Sequence, residues 1–304
     1  MPAHIGRPAP GSCRPRSGRL ARGGTGLSPL LVRTKPAFRG ATGQNVRMRI
    51  DLATAPGSPE RPNEDWLSAS TPAAGGGVLV VLDGVTPPAG GDGCVHGVPW
   101  FTARLGGRLT ELSASRGDMP LDLILAEAVR ATAEAHRDTC DLSHVRTPQA
   151  TVVVVRWDET YVEHLVLSDS VLLLQAPGGE VTAVLDDRLD RLPREVLRSV
   201  AATDALRNAE GGFFTAATDP AVAARAITGR TPRGRVRAVA ALTDGASRWT
   251  DTFGEGDWAQ CLSVLRKEGA EGLIDRVRAM ESDPARPTAR HKRHDDASAV
   301  YAEL

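Results

Sequence analysis

From Met48 onward the apolar residues fall into short runs rich in β-branched side chains, separated by polar or glycine-containing steps. Runs at 78–82, 151–155, 161–167, 171–174, 236–242 and 297–301 are too short for helices and predict strands. Met48-Arg49-Ile50-Asp51-Leu52 opens the first strand-like run. The links Arg156-Trp157-Asp158-Glu159-Thr160 and Ser168-Asp169-Ser170 leave no room for crossover helices, so they predict an antiparallel meander. Helical periodicity runs over 98–115 and over 121–139, where Leu121, Ile124, Leu125, Ala128, Val129 and Ala135 share a face. Further helical stretches are predicted at 193–208, 220–227, 257–265 and 273–280. Grouped strands and grouped helices point to an α+β fold, sheets covered by helix pairs, rather than a doubly wound sheet. No internal repeat is present, and 284–292 reads as a basic, proline-containing loop.

Charge divides the chain. Residues 1–47 carry nine basic and no acidic residues, with eight Gly and six Pro. Such a leader cannot bury enough apolar surface to offset its ordering entropy, and it reads as disordered. It is open to reading as an RNA-binding tail or as an extension ahead of a true start at Met48. A secretory signal fits poorly, because the apolar stretch 27–32 is short and interrupted by Pro29. Residues 48–304 then form the domain and carry a net charge of −9, although the whole chain is formally neutral. No apolar run approaches the roughly 18 residues that span a bilayer. Cys13, Cys94, Cys140 and Cys261 are far apart with no Cys-x-x-Cys pair, which argues against a zinc ribbon and a disulfide scaffold and for a reducing, cytoplasmic setting. With 12 aromatic residues the chain offers no base-stacking platform, so no nucleic-acid partner is expected.

Acidic residues gather beside the predicted strands. The steps are Asn63-Glu64-Asp65-Trp66, Leu82-Asp83-Gly84-Val85, Leu167-Ser168-Asp169-Ser170, Leu242-Thr243-Asp244-Gly245 and His294-Asp295-Asp296. Singly, Asp-Gly after a strand is an ordinary turn. Two Asp-Gly steps and three further acidic strand ends in one domain suggest converging carboxylates, which repel one another unless cations cancel their charge. Oxygen-only donors select Mg²⁺ or Mn²⁺ over zinc. No His/Cys spacing competes, and His291 and His294 read as solvated residues of a basic loop. Two hard cations about 3.5–4 Å apart supply a hydroxide at neutral pH and orient a phosphate for in-line attack.

The order of these steps resembles the protein phosphatase 2C family of metal-dependent serine/threonine phosphatases, from about Met48 to Leu304. The resemblance implies a four-layer αββα sandwich of two antiparallel sheets flanked by helix pairs. It also implies two Mg²⁺ or Mn²⁺ ions with a weaker third, and a phosphorylated protein as substrate. It assigns the metal-bridging role to Asp83, a carbonyl ligand to Gly84, a ligand role reached directly or through water to Glu64 with Asp65 beside it, and further ligands to Asp244 and Asp295. Asp169 matches the third-metal position. Asp296 stands where Asn is usual.

The chain departs from the family pattern where the chemistry is most demanding. Asp-Gly-His-Gly-Gly has become Asp83-Gly84-Val85-Thr86-Pro87, so the leaving-group acid is missing there, and His96 in Cys94-Val95-His96-Gly97 is the candidate substitute. The phosphate-binding Arg position holds Glu60, with Arg61 displaced by one, and Arg248 replaces a second Asp. Three alternatives remain open on sequence: a catalytically weak sensing or partner-binding module, a small-metabolite phosphatase, and a structural domain whose acidic turns bind nothing.

Overall fold

In the computed structural model, residues 48–72, 76–88, 91–286 and 292–304 are described in full, and the backbone alone at 30–34, 37–39 and 45–47. The strands and helices follow in the order β1 (Leu30–Thr34), β2 (Ala37–Arg39), β3 (Asn45–Arg47), β4 (Arg49–Ala55), β5 (Trp66–Ser70), β6 (Gly77–Leu82), α1 (Val98–Ser115), α2 (Leu121–Glu134), β7 (Val152–Trp157), β8 (Tyr161–Leu167), β9 (Val171–Gln175), β10 (Val181–Val184), α3 (Arg194–Leu197), α4 (Val200–Leu206), β11 (Ile227–Pro232), β12 (Ala238–Leu242), α5 (Asp244–Asp251), α6 (Trp258–Ser282) and β13 (Ala297–Glu303).

Two antiparallel sheets stack face to face. One has the order β11-β8-β7-β6-β5 and the other β1-β4-β13-β12-β9-β10. Period-two side-chain alternation builds three core layers from them. Val78, Val80 and Leu82 of β6 face α1 and α2, meeting Phe101, Leu105, Leu109, Ile124 and Leu125. Leu79 and Val81 face the other way and meet Leu172, Val239, Ala241 and Val300 of the second sheet. That sheet's outer face packs Leu173, Ala240, Leu242 and Tyr301 on Trp249, Leu262, Leu265 and Leu273 of α5 and α6. Both faces of the central strands are buried, which is why they read as continuous apolar runs. Each fully buried Leu or Val side chain contributes about 1.5–3 kcal/mol through removal from water.

The expected αββα sandwich is therefore present, with local corrections. Ser168-Asp169-Ser170 is not a hairpin within a meander: β8 and β9 belong to different sheets, and Ser168 at φ 68° turns the chain across the sandwich. The stretch 193–208 is two short helices, α3 and α4, and 220–227 is a 3₁₀ helix over Pro220–Arg225 leading into β11. The two helices expected at 257–265 and 273–280 are joined in α6, kinked where Gly269 adopts φ 83°. In the leader, β1 pairs antiparallel with β4, where sequence composition suggested no order. β2 likewise pairs antiparallel with β3, and the remaining leader residues and His291 lie outside the described residues.

Candidate metal centre and active site

Antiparallel register decides where the acidic steps go. Trp66 pairs with Leu82, so the Glu64-Asp65 step that precedes β5 lies beside the Asp83-Gly84 step that follows β6. Leu242 pairs with both Ala299 and Val171, which sets Asp244 beside the Asp295-Asp296 step and beside the Asp169 turn. All five acidic steps thus emerge at one end of the sandwich.

Asp83, Gly84, Asp169, Asp244 and Asp295 line a single cavity of about 380 Å³. The Asp83 backbone is fixed by Thr151, whose hydroxyl accepts from the Asp83 amide at 3.2 Å and whose own amide donates to the Asp83 carbonyl at 2.9 Å. The Asp244 amide donates to Asp83 Oδ2 at 3.3 Å. Burial pushes the Asp83 carboxyl well above the usual carboxylate range, and repulsion from Asp244, Asp65, Asp169 and Asp295 adds to it.

Close approach of these segments depends on glycine at two positions. A Cβ on Gly84 would collide with the Glu64 carbonyl oxygen and with Val98 Cγ1 at 2.5 Å. A Cβ on Gly245 would run into the Asp296 carbonyl. The second residue of each Asp-Gly step is thus demanded by packing as well as by turn chemistry.

Asp65 and Glu64 stand behind the cavity. Asp65 Oδ2 accepts from the Thr243 hydroxyl at 3.0 Å, while its buried Oδ1 has no hydrogen-bond partner. Burial, then repulsion from Asp296 and Asp244, holds its carboxyl well above the ordinary range, against hydrogen bonds from Ser298 and Thr243. Glu64 is buried, accepts from the Thr86 hydroxyl through Oε2, and faces Arg61 at 3.6 Å through Oε1. It lines a neighbouring cavity of about 250 Å³ together with Arg61, Thr86, Lys292 and Asp295. Asp296 anchors this segment by accepting from the Gly57 and Glu64 amides, both at 2.7 Å.

Asp295 carries two internal cations. Lys292 Nζ donates to Oδ1 at 2.9 Å and Arg248 Nη2 to Oδ2 at 3.0 Å. Arg248 is itself buried and paired with Glu281, which also receives Arg278 at 2.7 Å and His294 Nδ1 at 3.0 Å. His294 is therefore tied to a buried carboxylate rather than simply solvated. Lys292 further donates to the Thr86 hydroxyl at 2.8 Å. Burial works against charge on Lys292, but Asp295, Asp83 and Asp244 outweigh it and raise its pKa. Arg207 also lines the main cavity, with Nη1 donating to Gln149 at 3.3 Å and a buried Nε that has no partner. Sequence reading missed Lys292 and Arg207, since a lone cation far along the chain leaves no local signature.

His96 is not brought to the carboxylates. It is exposed, stacks on Trp100 at 4.3 Å, and turns Nδ1 toward Cys140 Sγ at 3.3 Å. Arg61 lies in the neighbouring cavity instead of the one lined by Asp83.

The donor set suits a hard cation: carboxylates and a carbonyl, no nitrogen or sulfur ligand among them, an orphaned carboxylate oxygen on Asp65, and an Asp83 carboxyl crowded by four other acids. Asp295 fits less simply, because both of its oxygens already face cations.

A family model for protein phosphatase 2C matches residues 58–279, most of the domain. The chain belongs to the protein phosphatase 2C family. The matched stretch includes the steps at Glu64, Asp83, Asp169 and Asp244, and stops short of Asp295. Membership makes this protein phosphatase 2C chain a metal-dependent serine/threonine phosphatase by class. Solved structures share its fold at low identity. Stp1 from Staphylococcus aureus, a serine/threonine phosphatase, is 13% identical with a TM-score of 0.55, covering 84% of this chain and 94% of its own. PstP/Ppp from Mycobacterium tuberculosis is 14% identical with a TM-score of 0.53, covering 84% and 98%. The serine-threonine phosphatase 2C from Toxoplasma gondii is 13% identical with a TM-score of 0.54, covering 91% and 99%. No curated protein sequence matches the chain.

Proposed function

We propose that this chain hydrolyses phosphoserine and phosphothreonine esters of proteins, using Mg²⁺ or Mn²⁺ held at the strand-end carboxylates. The observation that carries the reading is that Asp83, Asp169, Asp244 and Asp295, from four separate strand ends, line one cavity with the Gly84 carbonyl segment. Asp83 would be shared between two cations, with Gly84 and the Glu64 side on one and Asp244 and Asp295 on the other. Bound there, hard cations supply a hydroxide nucleophile and neutralise phosphate charge. Asp169 also lines an adjoining cavity with Asp190, Asp244 and Asp251, which suits a third, weaker cation.

The chain's own residues do the rest. Thr151 and the Asp244 amide hold Asp83 in place. Lys292 and Arg207 put positive charge on the wall of the cavity, which neither Arg61 nor His96 lines. Lys292 and Arg248 already offset the charge of Asp295, so it attracts a metal less strongly and a raised metal requirement follows. The domain is read as acting in the cytoplasm on phosphoproteins. Among the described residues no helix is long and apolar enough to cross a membrane.

The test is Mn²⁺-dependent phosphate release from phosphoserine and phosphothreonine peptides, with aryl phosphate and sugar phosphates alongside. Hydrolysis of the peptides that falls at least roughly 100-fold in Asp83→Asn supports the proposal. Mn²⁺ binding without turnover would favour the sensing-module alternative instead, and preference for sugar phosphates the metabolite one.

A further inference from the structure

Sequence spacing gave no zinc motif, yet the fold collects a set of zinc-type ligands just before α1 and just after α2. Cys94, His96, His136 and Cys140 bring their Sγ and ring-nitrogen atoms within 4.8 Å of one another. Two come from the loop that enters α1, and two from the turn that leaves α2. Cys94 Sγ lies 3.7 Å from His96 Nδ1 and 3.6 Å from His136 Nδ1. Cys140 Sγ lies 3.3 Å from His96 Nδ1 and 3.3 Å from Cys94 Sγ. Zn–S bonds of about 2.3 Å and Zn–N bonds of about 2.0–2.1 Å at tetrahedral angles put sulfur and nitrogen about 3.6 Å apart and two sulfurs about 3.8 Å apart. These four distances stand within about half an ångström of those of a tetrahedral S₂N₂ set, the arrangement that selects zinc, and the remaining pairs lie within 4.8 Å.

We propose that Cys94, His96, His136 and Cys140 hold one structural zinc ion, distinct from the hard cations of the carboxylate cavity. Backbone amides face both sulfurs. The His96 amide donates to Cys94 Sγ at 3.4 Å, the Gly97 amide also reaches that sulfur, and the Val95 amide reaches Cys140. His136 is buried, and its Nε2 has no partner, so Nδ1 is the ring's polar outlet. An Asx turn shapes the loop, with Asp92 Oδ1 accepting from the Cys94 amide at 2.9 Å, and the Asp141 amide ties the two segments by donating to the Gly93 carbonyl at 2.8 Å.

Binding would release the protons of the two thiols and leave a neutral Zn(Cys)₂(His)₂ centre. It would clip the loop running on from Asp83-Gly84 to the end of α2, across a sequence separation of 46 residues between the cysteines. This stands independently of the phosphatase reading, because no group of the carboxylate cavity takes part.

The full-length chain, expressed with zinc and purified under reducing conditions, is dialysed against a weak chelator with excess Mn²⁺, and its zinc is measured by plasma mass spectrometry. About one zinc per chain is expected. It should fall roughly tenfold or more in the Cys94→Ser/Cys140→Ser variant and persist in Asp83→Asn. Cobalt exchanged into the unaltered chain should give tetrahedral d–d bands and a sulfur-to-cobalt charge-transfer band, which keeps the test valid if the double variant misfolds. The proposal is overturned by a chain without zinc whose thiols are free or joined as a disulfide, by zinc that survives the double variant, or by a cobalt spectrum lacking the sulfur band.

Discussion

Asp83 concentrates the tension in this molecule. Its carboxyl is kept above its free value by burial and by four neighbouring acids. In the metal-free chain such a group favours the folded state while protonated. That contribution is complete below the unfolded-state pKa of about 3.9 and is lost as pH rises through the higher folded-state value. Metal-free protein should therefore lose stability between about pH 4 and neutrality. Asp83→Asn should flatten that slope and raise the metal-free Tm at pH 7 by roughly 2–4 °C, the response to about 1 kcal/mol in a domain of this size. Calorimetric melting across pH, with chelator present, measures both. Lys292 sets a second expectation. Its ammonium occupies Asp295 Oδ1, so Lys292→Met should lower the Mn²⁺ concentration for half-maximal activity about fivefold, the equivalent of about 1 kcal/mol from one displaced ion pair. An unchanged or higher Mn²⁺ requirement would show that Lys292 does not compete for Asp295.

Among the elements, the strand ends matter more than the strands. β5 with β6, and β12 with β13, fix the Asp-Gly steps by register, so the site survives only if those pairings hold at their last residues. Gly84→Ala tests this, because its methyl would strike the Glu64 carbonyl between two ligand segments. We expect a stability loss of about 1–3 kcal/mol, the cost of overpacking, and activity reduced more than the stability loss explains; urea melts and Mn²⁺-dependent turnover measure the two. Much of this level was legible beforehand. The strand β6, its Asp-Gly turn and helix α1 are announced by period-two and helical patterning over adjacent stretches. β10, β11 and α5 were not, since β10 has only four residues, β11 is largely exposed and mixes polar residues with Gly and Pro, and α5 begins inside the Asp244-Gly245 step that reads as a turn. The sheet change at Ser168 was hidden because a three-residue link looks the same in a hairpin and in a crossing between sheets.

Across the whole molecule, the sandwich turns five distant acidic steps into one end face, where Asp295 pairs with both Lys292 and Arg248 and Glu64 faces Arg61. The acidic residues were readable because each lies in a short polar step beside an apolar run. Lys292, Arg207 and the Cys94–His96–His136–Cys140 group were not, because their partners are fixed by tertiary contact; the His136-x-x-x-Cys140 spacing at a helix end was the one local hint. The account stands on Asp83 and its neighbours sharing hard cations. Titrating Mn²⁺ into the metal-free chain at pH 7, and following free Mn²⁺ by its paramagnetic resonance signal, tests that directly. Saturable binding in the unaltered chain that is lost in Asp83→Asn, while Cys94→Ser/Cys140→Ser retains it, is the expected result. Binding that is absent altogether, or unaffected by Asp83→Asn, would contradict the assignment.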